Sequence, residues 1–117
     1  VVKLFAVLSR REGMGRAEFL EHWHHHHGPL IADTPELARH LRRYVQHPRA
    51  SDGPLSGSVD CDGVAEQWFD SLDDFAAFLA EPAYAELIAP DERRFLDMDR
   101  VRFVICDEPV VQIGDDA

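Results

Sequence analysis

The first eight residues, Val1 to Leu8, place apolar side chains on both faces of an extended chain. Val2, Leu4, Ala6 and Leu8 fall on one side, Phe5 and Val7 on the other. A strand that is apolar on both faces has to be covered on both. Helices from the same chain can supply one cover. A second copy of the same sheet is the simplest source of the other, which predicts an obligate two-fold dimer.

The rest of the chain supplies partners for that strand. Arg10 to Gly15 is a polar loop, and the apolar period of Arg16 to His26 predicts the first helix. Gly28-Pro29 is expected to end it, because Gly suits the C-terminal position and Pro cannot continue the ladder. Glu36 to Arg43 reads as a short helical turn leading into a second strand around Arg43 to His47. Pro48, Ser51, Asp52, Gly53, Pro54, Ser56 and Gly57 make residues 48–62 a long loop or an insertion. Gly63 to Phe69 is a third strand. Ser71 to Asp74 resembles a capping box opening a helix whose inner face is Phe75, Phe78 and Leu79. Pro82 interrupts that helix, and Pro90 starts a further piece carrying Phe95 and Leu96. Val101 to Cys106 is the last strand, with Val101, Phe103 and Ile105 on one face.

Strand, helix, strand, strand, helix, strand is the split βαβ order of a ferredoxin-like α+β fold. It predicts a four-stranded antiparallel sheet with both helices on one face. The expected organisation is one domain over residues 1–112 followed by an acidic, frayed tail over 113–117. The length of 117 residues suits one domain with a modest core.

Twelve basic residues stand against twenty-two acidic ones, a formal net charge of −10. This balance argues against nucleic acid and anionic membrane surfaces as partners. No apolar stretch reaches the length of a membrane span, and no signal-peptide pattern precedes Val1, so the expected location is the cytoplasm. Cys61 and Cys106 have no metal-ligand spacing and read as reduced thiols, neither in a nucleophile motif.

The run His22-Trp23-His24-His25-His26-His27-Gly28-Pro29 is the most chemically pointed segment. Imidazole is the side chain best suited to move protons near neutral pH. At about 100° per residue, Phe19, Leu20 and Trp23 define an apolar face, and His27 falls close to its centre. His24 and His26 lie on the two flanks, His22 near the edge on the side of His26, and His25 points to solvent. His27 is thus the inward candidate, the alternative being a cap on the helix C-terminus. His22 and His26 are four apart and His24 and His27 three apart, so either pair could share a divalent ion. A metal site needs three or four ligands, usually from more than one element, and the sequence shows no second cluster to provide them. Adventitious nickel or zinc binding is expected, and a functional metal site is not.

Six segments follow one another along the chain: Val2-Lys3-Leu4-Phe5, Phe19-Leu20-Glu21-His22-Trp23, His27-Gly28-Pro29-Leu30, Leu41 to His47, Asp62 to Phe69 and Arg94-Phe95-Leu96-Asp97. As an ordered set they resemble the EthD-domain family. The resemblance implies a dimeric α+β barrel. It also implies relatives that work without cofactors on polyketide-like aromatic or lactone substrates, as dehydratases, decarboxylases, cyclases or muconolactone isomerases. Other members accompany ether-degrading cytochrome systems. By position, Trp23 and His27 match the family's helix motif, Tyr44 and His47 its second-strand motif, and Trp68 its third-strand motif, while Asp97 closes the motif near the last helix. His22 departs from a position more often tyrosine, and His25 and His26 from positions often acidic and apolar.

Acid–base chemistry in a dry pocket needs one group to take a proton and another to hold the developing enolate. His27 is the candidate base and Tyr44 its electrophilic partner. Trp23, Trp68 and Phe69 are candidate walls for an aromatic ligand, and Glu66 or Asp97 a candidate carboxylate to orient a histidine. His47 joins the substrate-binding candidates, although strand alternation puts it on the face opposite Tyr44. The expected function is a small cofactor-free lyase or isomerase acting on a polyketide-like aromatic or lactone carbonyl compound. The alternative is a binding module for a hydrophobic metabolite or haem in a degradative pathway. A purely structural protein would need no polar group in its pocket.

Overall fold

The computed structural model describes residues 1–115, so Asp116 and Ala117 of the expected tail lie outside the described residues. Four strands form one antiparallel sheet: β1 (Val2–Leu8), β2 (Arg43–Pro48), β3 (Gly63–Phe69) and β4 (Arg102–Cys106). Their order across the sheet is β2-β3-β1-β4, the split βαβ arrangement. Leu4 pairs with Gln67 and Ile105, Ala6 with Ala65 and Phe103, and Tyr44 with Gln67, so these side chains share one face.

The helices cover that face. The first half contributes α1 (Arg16–His22), a π-helical turn over Trp23–His27, α2 (Gly28–Ala32) and the short α3 (Pro35–Ala38). The second contributes α4 (Leu72–Ala80), a second π-helical turn over Tyr84–Ile88, and α5 (Ala89–Phe95). Two buried clusters lie between layers, one around Leu4, Ile31, Phe69 and Phe78, the other around Leu8, Phe19, Trp23 and Phe95. Ser71 caps α4 by accepting from the Asp74 N–H at 3.2 Å. Leu79, expected on the inner face of α4, is 44% exposed at the edge of the layer. Among the described residues no helix is long and apolar enough to cross a membrane.

Gly28-Pro29 does not end the first helical segment. The Gly28 N–H bonds back five residues to the Trp23 carbonyl, widening one turn, and the chain enters α2 with Pro29 in its first turn. Pro29 has no N–H to return to the preceding turn, and the widened turn closing at Gly28 is where the segment accommodates it. The Trp23 carbonyl also accepts from Gln46 Nε2 at 2.9 Å, fastening the wide turn to β2.

The other sheet face carries Phe5, Val7, Val45, Val64, Trp68 and Val104, with Val104 56% exposed. Lys3 Nζ lies 4.1 Å from the centre of the Trp68 ring. Among the described residues, neither buried cluster between helices and sheet includes these side chains.

Gly63 marks where helix and sheet come closest. A Cβ there would sit 2.6 Å from Trp23 Cζ3 and 2.9 Å from the His47 carbonyl oxygen. Trp23 is fully buried and the strand backbone is paired, so neither neighbour has room to retreat. Gly63→Ala is expected to lower stability by about 1–3 kcal/mol, read as a reduced urea midpoint. An unchanged midpoint would show that Trp23 repacks freely.

Candidate active site

A cavity of about 260 Å³ lies between the sheet and the helices. Its polar lining comes from His27 on the first π turn, Tyr44 on β2, Gln67 on β3, Tyr84 on the second π turn and Glu92 on α5; the remaining walls are largely apolar and include Trp23. A small number of polar groups in an apolar cleft is the usual composition of a small-molecule site. Both π turns contribute to it, as such widened turns often do.

His27 is buried at 6% exposure, and its Nδ1 lies 2.7 Å from Asp91 Oδ2. Asp91 is fully buried and also meets His22 Nε2 at 2.9 Å, His26 Nε2 at 3.2 Å and Arg94 Nη1 at 3.5 Å. Burial pushes its carboxyl pKa up, but hydrogen bonds from His27 and His22 outweigh burial and hold it below the ordinary value. With Asp91 ionised, His27 Nδ1–H donates to it, and Nε2 is left as the ring's proton acceptor. Burial lowers the His27 pKa, against the opposing pull of Asp91, so the ring is neutral at pH 7.

On another wall, the Tyr84 hydroxyl donates to Glu92 Oε1 at 3.0 Å. Burial raises the pKa of Glu92 despite that hydrogen bond, and also raises that of Tyr84. Tyr44 is pushed up to about 12, again chiefly by burial. Its oxygen accepts from Gln46 Nε2 at 2.9 Å, so its own proton is free to donate. The buried Trp23 indole N–H is turned toward the Tyr44 hydroxyl without closing a well-formed hydrogen bond. One lining group is therefore tuned to accept a proton and another to keep one, the pattern of an acid–base pair.

His27, Tyr44 and Trp23, three of the candidates from sequence, line this one cavity. The others lie elsewhere. His47 and Trp68 sit on the opposite sheet face, where His47 Nε2 is 2.9 Å from Glu66 Oε1 and the Trp68 indole N–H donates to Glu66 Oε2. The ladder between β2 and β3 is unbroken, so no bulge brings either residue round. Phe69 is fully buried behind Phe75 and Phe78, with ring centres 5.2 and 5.5 Å away, and forms core rather than cavity wall. Asp97 lies past the end of α5 in a polar cleft with Arg10, Arg49 and Asp62, accepting the Asp99 N–H at 3.2 Å. The carboxylate that orients His27 is Asp91, with Glu66 serving His47 instead. The sequence carried one signal for Asp91: with Ile88 and Phe95 it makes an i, i+3, i+7 stripe, so it occupies an inward helical position.

The charge on Glu92 has a stability consequence. Its folded pKa is raised, so its contribution is fully present below the unfolded value of about 4.5 and is lost as pH rises through the folded value. Glu92→Gln is expected to be more stable than the parent at pH 7, with the difference closing as pH falls to about 4.5. Thermal unfolding across that range checks it, and a destabilised variant at pH 7 would refute it.

The sequence matches the EthD domain over residues 11–99. It is 27% identical over 105 residues to the conidial pigment biosynthesis dehydratase EthD of Metarhizium robertsii, covering 82% of this chain and 74% of that one. The fold is similar to an EthD family protein from Bacillus halodurans, with a TM-score of 0.69 and 20% identity, over 92% of this chain and 98% of that one. It is also similar to a dimeric protein of unknown function and ferredoxin-like fold from Bacteroides fragilis, with a TM-score of 0.67 and 15% identity, over 92% and 95% of the two chains. The chain belongs to the EthD domain family.

Proposed function

We propose that this protein is a small acid–base lyase that dehydrates a cyclic, polyketide-like β-hydroxy ketone using its own side chains. The observation that carries the reading is His27: its Nδ1 is engaged by the buried Asp91 carboxylate, and its ring lines an apolar cavity shared with Glu92. The likeness to a pigment biosynthesis dehydratase supports the reaction class.

His27 Nε2 takes the proton next to the ketone carbonyl. The Tyr44 hydroxyl donates to the developing enolate oxygen, a role open to it because Gln46 occupies its acceptor side. The enolate then expels the neighbouring hydroxyl, which takes the Glu92 carboxyl proton and leaves as water. Aromatisation of the ring favours the product. The imidazolium proton returns to Glu92 through solvent, closing the cycle. The cavity of about 260 Å³ suits a small ligand of one or two fused rings, being just below the usual range of roughly 300–1,000 Å³ for ligand sites.

The same reading includes a homodimer. A second copy would cover Phe5, Val7, Val45, Val64 and Trp68, apolar side chains that share this face with Lys3, Arg43, His47 and Glu66. Val45→Glu is expected to shift the protein from dimer to monomer in sedimentation, and a persistent dimer would move the interface elsewhere.

A β-hydroxy-tetralone, which becomes a naphthol on losing water, is the probe for the reaction. His27→Ala and Glu92→Gln are each expected to slow naphthol formation by roughly 10²–10⁴. If both variants match the parent, or the parent does no better than buffer, the lyase reading is wrong.

A further inference from the structure

The histidine run has a second feature, on the side of Asp91 away from the cavity. His22 Nε2, His26 Nε2 and an oxygen of Asp91 lie within 4.8 Å of one another. His22 and His26 project from successive helical turns with ring centres 4.7 Å apart, while Asp91 comes from α5. The histidine run supplies two ligands, and α5 supplies the third that the run alone lacks.

We infer that His22, His26 and Asp91 form a binding site for a divalent transition-metal ion of the zinc class. The donor set, two imidazoles and one carboxylate, suits zinc, cobalt or nickel and is a poor match for calcium or magnesium, which take oxygen ligands. Ligands of a tetrahedral zinc ion at 2.0–2.2 Å stand roughly 3.3 Å apart. Asp91 Oδ1 already lies 2.9 Å from His22 Nε2 and 3.2 Å from His26 Nε2, so small side-chain shifts would admit the ion. Both imidazoles offer Nε2 toward the carboxylate.

The surroundings fit such a site. His26 is more than half exposed, giving the ion a path in and leaving its fourth position open to water. Arg94 competes for Asp91 Oδ1, but it reaches it only at 3.5 Å and its side chain is 64% exposed, so it can swing away. The net charge of −10 favours cation capture. Asp91 Oδ2 remains bonded to His27, so the carboxylate would join the metal on one side to the cavity histidine on the other. Neither His22 nor His26 lines the cavity, and the inference does not rest on the lyase reading.

The test is a titration of chelator-treated, untagged protein with cobalt(II), followed by visible absorption, and with zinc(II), followed by calorimetry. One equivalent is expected to bind, with the intense absorption of low-coordinate cobalt, and excess magnesium should not displace it. His26→Ala, an exposed position that leaves the fold intact, is expected to weaken binding about a hundredfold, since even an outer partner of a metal site contributes roughly 10- to 100-fold. His22→Gln should do the same. The double variant His24→Ala and His25→Ala should bind as the parent does. Absence of a stoichiometric site, equal binding by the parent and His26→Ala, or loss of binding in the double variant would each overturn the inference, the last by assigning the metal to unspecific chelation along the histidine run.

Discussion

The carboxylate of Asp91 is the point on which this arrangement turns. A charge with no exposure to solvent is tolerated only when paired and hydrogen-bonded, and here its partners come from a different helical segment. His27 and His22 reach it from the first half of the chain, and Arg94 adds a long contact from its own helix. The bond between halves therefore fixes more than an angle between helices. It sets which ring nitrogen of His27 carries a proton, and so which one is left to accept.

Widened helical turns make that geometry possible. In the first, the Gly28 N–H reaches back to the Trp23 carbonyl, and the chain passes through Gly28-Pro29 without breaking. Trp23 is then pressed against the sheet at Gly63 while His27, one turn on, faces the cavity. The second widened turn carries Tyr84, whose hydroxyl holds Glu92. Wide turns crowd side chains differently from a regular helix, and both sit where the cavity needs polar groups among apolar ones.

Burial acts on these groups in opposite senses. It drives an imidazole toward its neutral, proton-accepting form and a carboxyl toward its neutral, proton-bearing form. One dry cavity thereby biases one lining group toward accepting a proton and another toward keeping one, with the Asp91 charge orienting the first. The cost is carried by Glu92, whose ionised form is disfavoured by the fold that positions it. Such local instability is a common companion of reactive sites.

The order of elements was legible in the sequence because it rests on local periodicity. Val2 to Leu8 and Gly63 to Phe69 alternate or run apolar over strand lengths, and Ser71 announces its helix by a side chain that caps the backbone nearby. The inward position of His27 followed from the same helical spacing as Phe19 and Trp23. The sequence alone also placed Tyr44 and His47 on opposite faces, since alternation in a strand needs no knowledge of its neighbours. What faces what across the layers was decided only by tertiary structure. Trp68, His47 and Phe69 have the composition of a ligand wall, yet the sheet register turns two of them away and the core takes the third. Gly28-Pro29 reads locally as a stop, but packing of Trp23 and the hydrogen bond from Gln46 carry the helix through it. Asp91 lies 64 residues from His27, and no local pattern states that a carboxylate will meet an imidazole across that distance. Periodicity encodes which face of an element is buried; the partner it meets there is set by how the elements pack.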